Sequence, residues 1–352
     1  MKMNKLHIIC ISLCLLLTAC YKDPEVWAPE QPGQPEVEEI PISLSASSSG
    51  MDTRAIIADD AGLQATNLGV FAYKEVAGNK TRVFDNVELD FVGGAWTYSP
   101  LKYWDRTATY YFVSYSPYSP NSPLNKNIEY SEEFHQLTIK NIPNWQAIDA
   151  DAKDYVVAND FGAAEGKYIT PNAPNGVQPV NLGFKHILCQ LEVRVLKNPF
   201  LMNTYTLSGI SYTNVPEKEG TASYQYNAPT GNYEAGPPME GNGNMEDLTI
   251  QQSPQSMATP NAEILGDPAQ AAATTIKHLV APFDADFKIT LNYSINDVPA
   301  EPVIVDAGLD QLESNNRYVI TLTFNSGADI SADVKVMDWV DKEVETDDKY
   351  NW

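Results

Sequence analysis

A chain of 352 residues, 43% of them hydrophobic, has length for about two domains and enough apolar material for real cores. Its 46 acidic side chains outnumber 23 basic ones, for a net charge of −23, a surface that repels phosphate backbones and argues against nucleic acid as a partner. Three of the four cysteines fall within the first twenty residues, so Cys189 stands alone downstream and no disulfide framework forms within the chain.

The first nineteen residues have a basic start (Lys2, Lys5), an apolar run from Leu6 to Leu17 and small residues before Cys20, the pattern of a secretory signal peptide. The run is shorter than the roughly 18 to 20 residues of a spanning helix, and Ser12 interrupts it. Leu17-Thr18-Ala19-Cys20 resembles a bacterial lipobox, in which the cysteine receives lipid and becomes the new first residue. Two or three acyl chains, at about 0.8 kcal/mol per buried methylene, hold a protein on a bilayer almost irreversibly. Export removes two lysines and no acid, leaving 21 basic against 46 acidic side chains, a net charge of −25. The next stretch, "YKDPEVWAPEQPGQPEVEE", holds four prolines and six acids and reads as an extended tether.

"EEIPISLSASSSGMDTRAII" follows. Ile40, Ile42, Leu44 and Ala46 alternate with Pro41, Ser43 and Ser45, the period of one amphipathic strand. A serine and glycine run then leads to Thr53-Arg54-Ala55. Arginine occurs five times in the chain, and Arg54 falls where flexible backbone suits a protease. A cut between Arg54 and Ala55 would release the lipid, the tether and the strand together, opening a groove.

Downstream, period two dominates. In "DFKITLNYSIND", Phe287, Ile289, Leu291, Tyr293 and Ile295 share one face, and similar strands lie at Val87–Phe91, Leu137–Ile139 and Tyr318–Phe324. Turn clusters such as "FVGGAW" and "AGPPMEGNGN" separate them, and helix is expected only in short pieces such as the alanine-rich Ala269 to Ile276. The fold class is therefore all-β, as two β-sandwiches with a Gly/Pro/Asn linker between Gly162 and Pro179. In "VNLGFKHILCQLEVRVL" the apolar parity switches around Lys185 and His186, which a bulge or a crossing between sheets absorbs. The division is a signal peptide over 1–19, a lipid tether with the removable strand over 20–54, and sandwiches over 55–178 and 179–352.

Chemistry-bearing constellations are sparse. His135, His186 and His278 survive export without metal-ligand spacing, and no phosphate loop or nucleophile elbow occurs. Asp149, Asp151 and Asp154 lack the glycine and glutamate of a calcium loop and read as a solvated turn. His186 reads as a structural side chain with a hydrogen-bonded partner, and Cys189 as a small buried hydrophobe. The aromatics Trp96, Tyr98, Tyr103, Trp104, Tyr110, Tyr111 and Phe112 suit core and loop packing, with a sugar-stacking site as the alternative. No enzyme, metal or cofactor is expected.

At the C-terminal end, "ADISADVKVMDWVDKEVE" places Ile330, Ala332, Val334, Val336 and Val340 on one face, a candidate donor strand for the groove of a neighbouring copy. Donor and acceptor surfaces differ, so such contacts grow head-to-tail. The lipobox, Thr53-Arg54-Ala55, "WTYSPLKYWD", "YYFVSYSP", "LGFKHILCQLEV" and "NRYVITLTF" with "VKVMDW" together resemble the fimbrillin family of surface pilins. That resemblance implies two transthyretin-like sandwiches, lipidation at Cys20, cleavage between Arg54 and Ala55, and assembly by strand exchange with other fimbrillin subunits. It also implies an outer-membrane location before cleavage, a fimbrium afterwards, and a role in adhesion to a host or bacterial surface receptor. The competing expectation is a surface lipoprotein that never polymerises, as a fimbrial anchor, tip or glycan-binding protein.

Overall fold

The computed structural model describes residues 39–48, 60–120, 127–131, 136–148, 152–160, 167–169, 179–216, 219–227, 232–235, 245–257, 275–284, 287–309, 311–326 and 329–338. The first half of the chain gives β1 (Leu44–Ser48), the short helix α1 (Asp60–Gln64), β2 (Leu68–Val76), β3 (Asn79–Val92), β4 (Ala95–Thr97), β5 (Thr109–Ser116), β6 (Ile128–Ser131), β7 (Gln136–Pro143), β8 (Trp145–Ala147), β9 (Val156–Asp160), β10 (Lys167–Ile169) and β11 (Val180–His186). The second gives β12 (Cys189–Lys197), β13 (Tyr205–Pro216), β14 (Glu219–Asn227), β15 (Asn232–Ala235), β16 (Met245–Ser256), β17 (Thr275–Val280), β18 (Phe283–Asp284), β19 (Lys288–Ile295), β20 (Val298–Pro299), β21 (Val303–Asp306), β22 (Gln311–Leu312), β23 (Asn316–Ser326) and β24 (Asp329–Asp338). The fold is all-β, as the period-two pattern predicts. In β19, Ile289, Leu291 and Tyr293 are buried while Lys288, Thr290 and Asn292 are half-buried. The Gly93-Gly94 turn between β3 and β4 has both residues at positive φ, 63° and 86°, which glycine adopts without a Cβ penalty. The expected helix over Ala269–Ile276 is corrected at its end. Thr275 and Ile276 open β17, where Ile276 packs into the core beside β12, and tertiary pairing overrides local alanine content.

Everything described from Ile40 onward belongs to one compact unit with two hydrophobic cores. The first core lies between an eight-stranded sheet, in the order β1-β11-β9-β5-β2-β3-β4 with β10 on β5, and the sheet β15-β14-β7-β6. The second lies between β24-β23-β12-β17-β8 and β16-β13-β19-β20, with β21 on β19. The cores part between Leu188 and Cys189. Two exchanges tie the halves. The β14–β15 hairpin pairs with β7 and sends Ala222 and Tyr224 into the first core, while β8 pairs with β17 and lays Trp145 against the second. Lys167–Ile169, inside the stretch expected to link the sandwiches, pairs with Thr109–Tyr111 of β5.

The parity switch near His186 has a topological cause. β11 belongs to the first sandwich and β12 to the second, so the chain changes sheets at Ile187 and Leu188, and a further register shift falls at Gly183/Phe184. Beyond it, β12 is buried on both faces. Cys189, Leu191, Val193 and Val195 face the second core, while Gln190, Glu192 and Arg194 on the opposite face are 1%, 2% and 8% exposed.

In the second core, Trp145, Tyr212 and His278 pack ring against ring, with centroids 4.7 Å, 5.3 Å and 5.7 Å apart. Burial pushes the His278 imidazole down to about 4. The unfolded chain, near the ordinary histidine value of about 6.5, therefore binds this proton first on acidification, and the fold loses stability as pH falls from there towards 4. The full loss is about 3 kcal/mol. Urea midpoints at pH 7.5 and 5 should differ in the natural chain, and His278→Phe should shrink that difference. An undiminished difference would mean His278 does not titrate as a buried group.

Candidate functional site

Of the stretch expected as one strand over Ile40–Ala46, Leu44–Ala46 open β1 and Pro41 makes an isolated bridge, while the inward row follows the alternation. Ile42 and Leu44 are 1% and 6% exposed in the first core, Ile40 and Ala46 pack against it, and Pro41 and Ser43 face solvent. Leu44–Ser48 runs parallel to β11 in the register Leu44↔Val180 through Ser48↔Phe184, and the Val180 amide donates to the Ser43 carbonyl at 2.8 Å.

The residues just before β1 hold the chain that follows β4, the opposite terminal strand of the same sheet. Ile42 N–H donates to the Lys102 carbonyl at 2.8 Å, Trp104 N–H donates to the Ile40 carbonyl at 2.9 Å, and Pro41 bridges Tyr103. The Tyr98 hydroxyl donates to the Ile42 carbonyl at 2.7 Å. β1 and β4 are the two terminal strands of this sheet, and they lie alongside each other. The segment Ile40–Ser48 thus fills a slot between β11 and the chain that follows β4. Its far end is tied by the Ser48 amide and hydroxyl, both donating to Asp60 Oδ1 at 2.6 Å. Burying Ile42 and Leu44 contributes about 3–6 kcal/mol as an upper bound, and each backbone hydrogen bond adds about 0.5–1.5 kcal/mol.

The C-terminal strand occupies an edge of the other sandwich. β24 pairs antiparallel with β23, setting Ile330, Ala332, Val334 and Val336 opposite Phe324, Leu322, Ile320 and Tyr318. The four share the predicted face, but the cover is partial. Ile330 and Val334 pack against the second core, whereas Ala332 is exposed and Val336 is 54% exposed. The structure therefore places the two candidate strands on different sheets and does not bring them together. Cys20, Arg54, Ala55 and Val340 lie outside the described residues.

Of the remaining candidates, His135, Asp149 and Asp151 also lie outside the described residues, and several others are packed into the fold. Asp154, expected in a solvated turn, is instead 2% exposed and bonds through Oδ1 to His186 Nδ1 at 2.9 Å; the two side chains seal each other from water. Neither side chain reaches solvent, so the pair has no access to a substrate. Cys189 is buried, its thiol donates to the Val280 carbonyl at 3.2 Å, and burial pushes its ionisation up, away from nucleophile behaviour. Trp104, Tyr110 and Phe112 are core, with Trp104 edge-on to Tyr110 at 4.7 Å, and Tyr111 stacks on Tyr73 at 4.6 Å. Among the described residues no group of three or more His, Cys, Asp or Glu side chains could hold a metal ion. Sequence reasoning missed Tyr98, Lys102 and Asp60 as the grips on the N-terminal segment. Nothing in their local pattern points 12 to 60 residues back along the chain.

A family model described as fimbrillin-like matches residues 53–339. A fimbrial protein from Bacteroides vulgatus shares the fold at a TM-score of 0.52 with 16% identity, over 85% of this chain and 99% of that one. A candidate cell adhesion protein from Bacteroides uniformis aligns at 0.49 with 15% identity, over 85% and 99% of the two chains. A C-terminally truncated tip fimbrial protein from Porphyromonas gingivalis aligns at 0.39 with 11% identity, over 86% and 100%. No curated protein sequence matches the chain.

Proposed function

The chain belongs to the fimbrillin-like family, and from that premise we propose that it is a structural subunit of a surface fimbrium, exported as a lipoprotein through Cys20, cut after Arg54 and polymerised by strand exchange in support of adhesion. The carrying observation is the slot. Ile40–Ser48 is a single segment whose side chains plug the first core and whose backbone joins β11 to the chain that follows β4. A cut at Arg54 would sever it from the body a few residues after Ser48, turning a covalent part of the fold into a peptide that can dissociate.

The energetics favour replacement. β24 already has its backbone paired, so moving it into a neighbour's slot exchanges one ladder for another at little net cost. The apolar term does not cancel, because Ala332 and Val336 are exposed on β23 and would be covered in a slot. Fully burying such side chains gains up to about 1.5–3 kcal/mol for a valine and less for an alanine, set against association entropy. Val340 would extend the same row. Lipid on Cys20 serves export and holds the subunit at the membrane until the cut.

The test uses the full chain with Cys20→Ser, treated with trypsin and run on gels without boiling. Ladders of regular mass are expected after cleavage at Arg54 and none from the Arg54→Ala chain. A cleanly cut protein that stays monomeric would defeat the strand-exchange reading.

A further inference from the structure

An open cleft of about 570 Å³ lies on the first sandwich, lined by Asn86, Glu88, Asp90, Tyr98, Ser99 and Tyr118 among others. Its floor is built around one irregularity. The pairing of β2 with β3 jumps from Val70↔Val87 to Ala72↔Phe84, so β3 carries a bulge at Asp85 and Asn86. Asn86 takes φ +51° there while 6% exposed. It is pinned by the Tyr115 hydroxyl, which donates to its Oδ1 at 2.7 Å, and its own amide donates to the Ser119 carbonyl at 2.8 Å. Tyr115 reaches this position because Gly69 faces it; a Cβ at Gly69 would fall 2.3 Å from the Tyr115 ring. A conformation uncommon for a residue other than glycine, held by a buried frame, directs the following residues of β3 outward.

Those residues carry the chemistry. Glu88 and Asp90, two apart on β3, present carboxylates on one face, with Glu88 fixed by the Asn67 amide at 2.6 Å. Tyr98 and Tyr118 add half-buried rings, Ser99 adds a hydroxyl, and none of the lining residues is basic. The cleft is thus rich in acceptors, bordered by two tyrosine side chains and hostile to anions. A cationic side chain would gain little in so open a site, since exposed ion pairs contribute only about 0–1 kcal/mol. A sugar ring can use both kinds of lining, tyrosine side chains against its C–H groups and carboxylates that accept from its hydroxyls. We infer that this cleft is a binding site for a neutral oligosaccharide.

The site stands apart from strand exchange except at Tyr98, whose ring lines the cleft and whose hydroxyl holds Ile42. It is therefore tested on the uncut full chain with Cys20→Ser, where polymerisation plays no part. The protein is probed on an array of neutral, sialylated and sulfated glycans, with Lys- and Arg-rich peptides alongside. Binding confined to neutral glycans is expected, weakened at least tenfold by Asp90→Asn, which keeps the side-chain shape, and by Tyr118→Ala. Near-ultraviolet circular dichroism checks that each variant is folded. Three results would overturn the assignment: no neutral glycan bound, preference for basic peptides, or affinity unmoved by Asp90→Asn in a folded protein.

Discussion

Glu192→Ala is expected to destabilise the second sandwich by about 3–5 kcal/mol, because the carboxylate it removes is buried among three cations. Arg194 donates from Nε to Oε1 at 2.7 Å and places Nη2 2.6 Å from the same oxygen. Arg317 Nη2 sits 2.8 Å from Oε2, and Lys277 Nζ lies 3.7 Å away. The four residues come from β12, β23 and β17, three neighbouring strands, so the carboxylate pins the centre of the sheet. Its side chain is 3% exposed, and those of Arg194 and Arg317 are 10% and 11% exposed. Deleting the acid takes from both guanidinium groups the charge partner that Glu192 supplies, in a low-dielectric setting. Burial alone would push the Glu192 ionisation up, but the hydrogen bond from Arg317, with the charge and hydrogen bond of Arg194 and the charge of Lys277, holds it below the usual range. A carboxylate held low in the fold contributes stability that is present above its unfolded value and lost as pH falls through its folded one. The melting temperature of the variant should therefore lie on the order of 10 °C below the natural chain at pH 7, with the gap closing in acid below about pH 4. A gap of the same size at pH 7 and pH 3 would show that the loss is not electrostatic.

Ile42→Ala should have its effect on retention of the N-terminal segment rather than on the body. The side chain is 1% exposed in the first core, and truncating a buried isoleucine costs about 2–5 kcal/mol. At about 1.4 kcal/mol per factor of ten, the segment should leave its slot roughly 30-fold to over 1,000-fold more often. Two amides report this without any cleavage. Val180 N–H donates to Ser43 and Trp104 N–H donates to Ile40, so both are protected only while the segment is seated. Hydrogen exchange at these two positions should accelerate by that factor while the amides between β13 and β19 stay protected. After trypsin treatment, the released peptide should appear correspondingly faster by chromatography. Unchanged exchange at Val180 would mean that the segment is held by something other than its apolar plug.

These expectations divide between what could be read along the chain and what could not. The all-β class follows from period-two alternation, a property of each strand by itself, and so does the inward row Ile42 and Leu44. The change of apolar parity at Lys185 and His186 announced either a bulge or a change of sheet, and the fold has the sheet change there, because a strand that moves from one core to another must re-aim its side chains. Alternation is silent about partners, though, since any edge with a matching apolar face satisfies it. Only the tertiary structure settled that Leu44–Ser48 lies parallel to β11, some 135 residues away, while the residues just before it grip the chain after β4. The outer face of β12 was equally hidden. Glu192 and Arg194 merely alternate with the apolar row along the chain; neighbouring strands bring Arg317 and Lys277 beside them, and a buried charge is tolerable only with partners that the local sequence does not contain. The cleft on the Asn86 bulge has the same origin, as its walls come from β3 and from the segments after β4 and β5, joined only by folding.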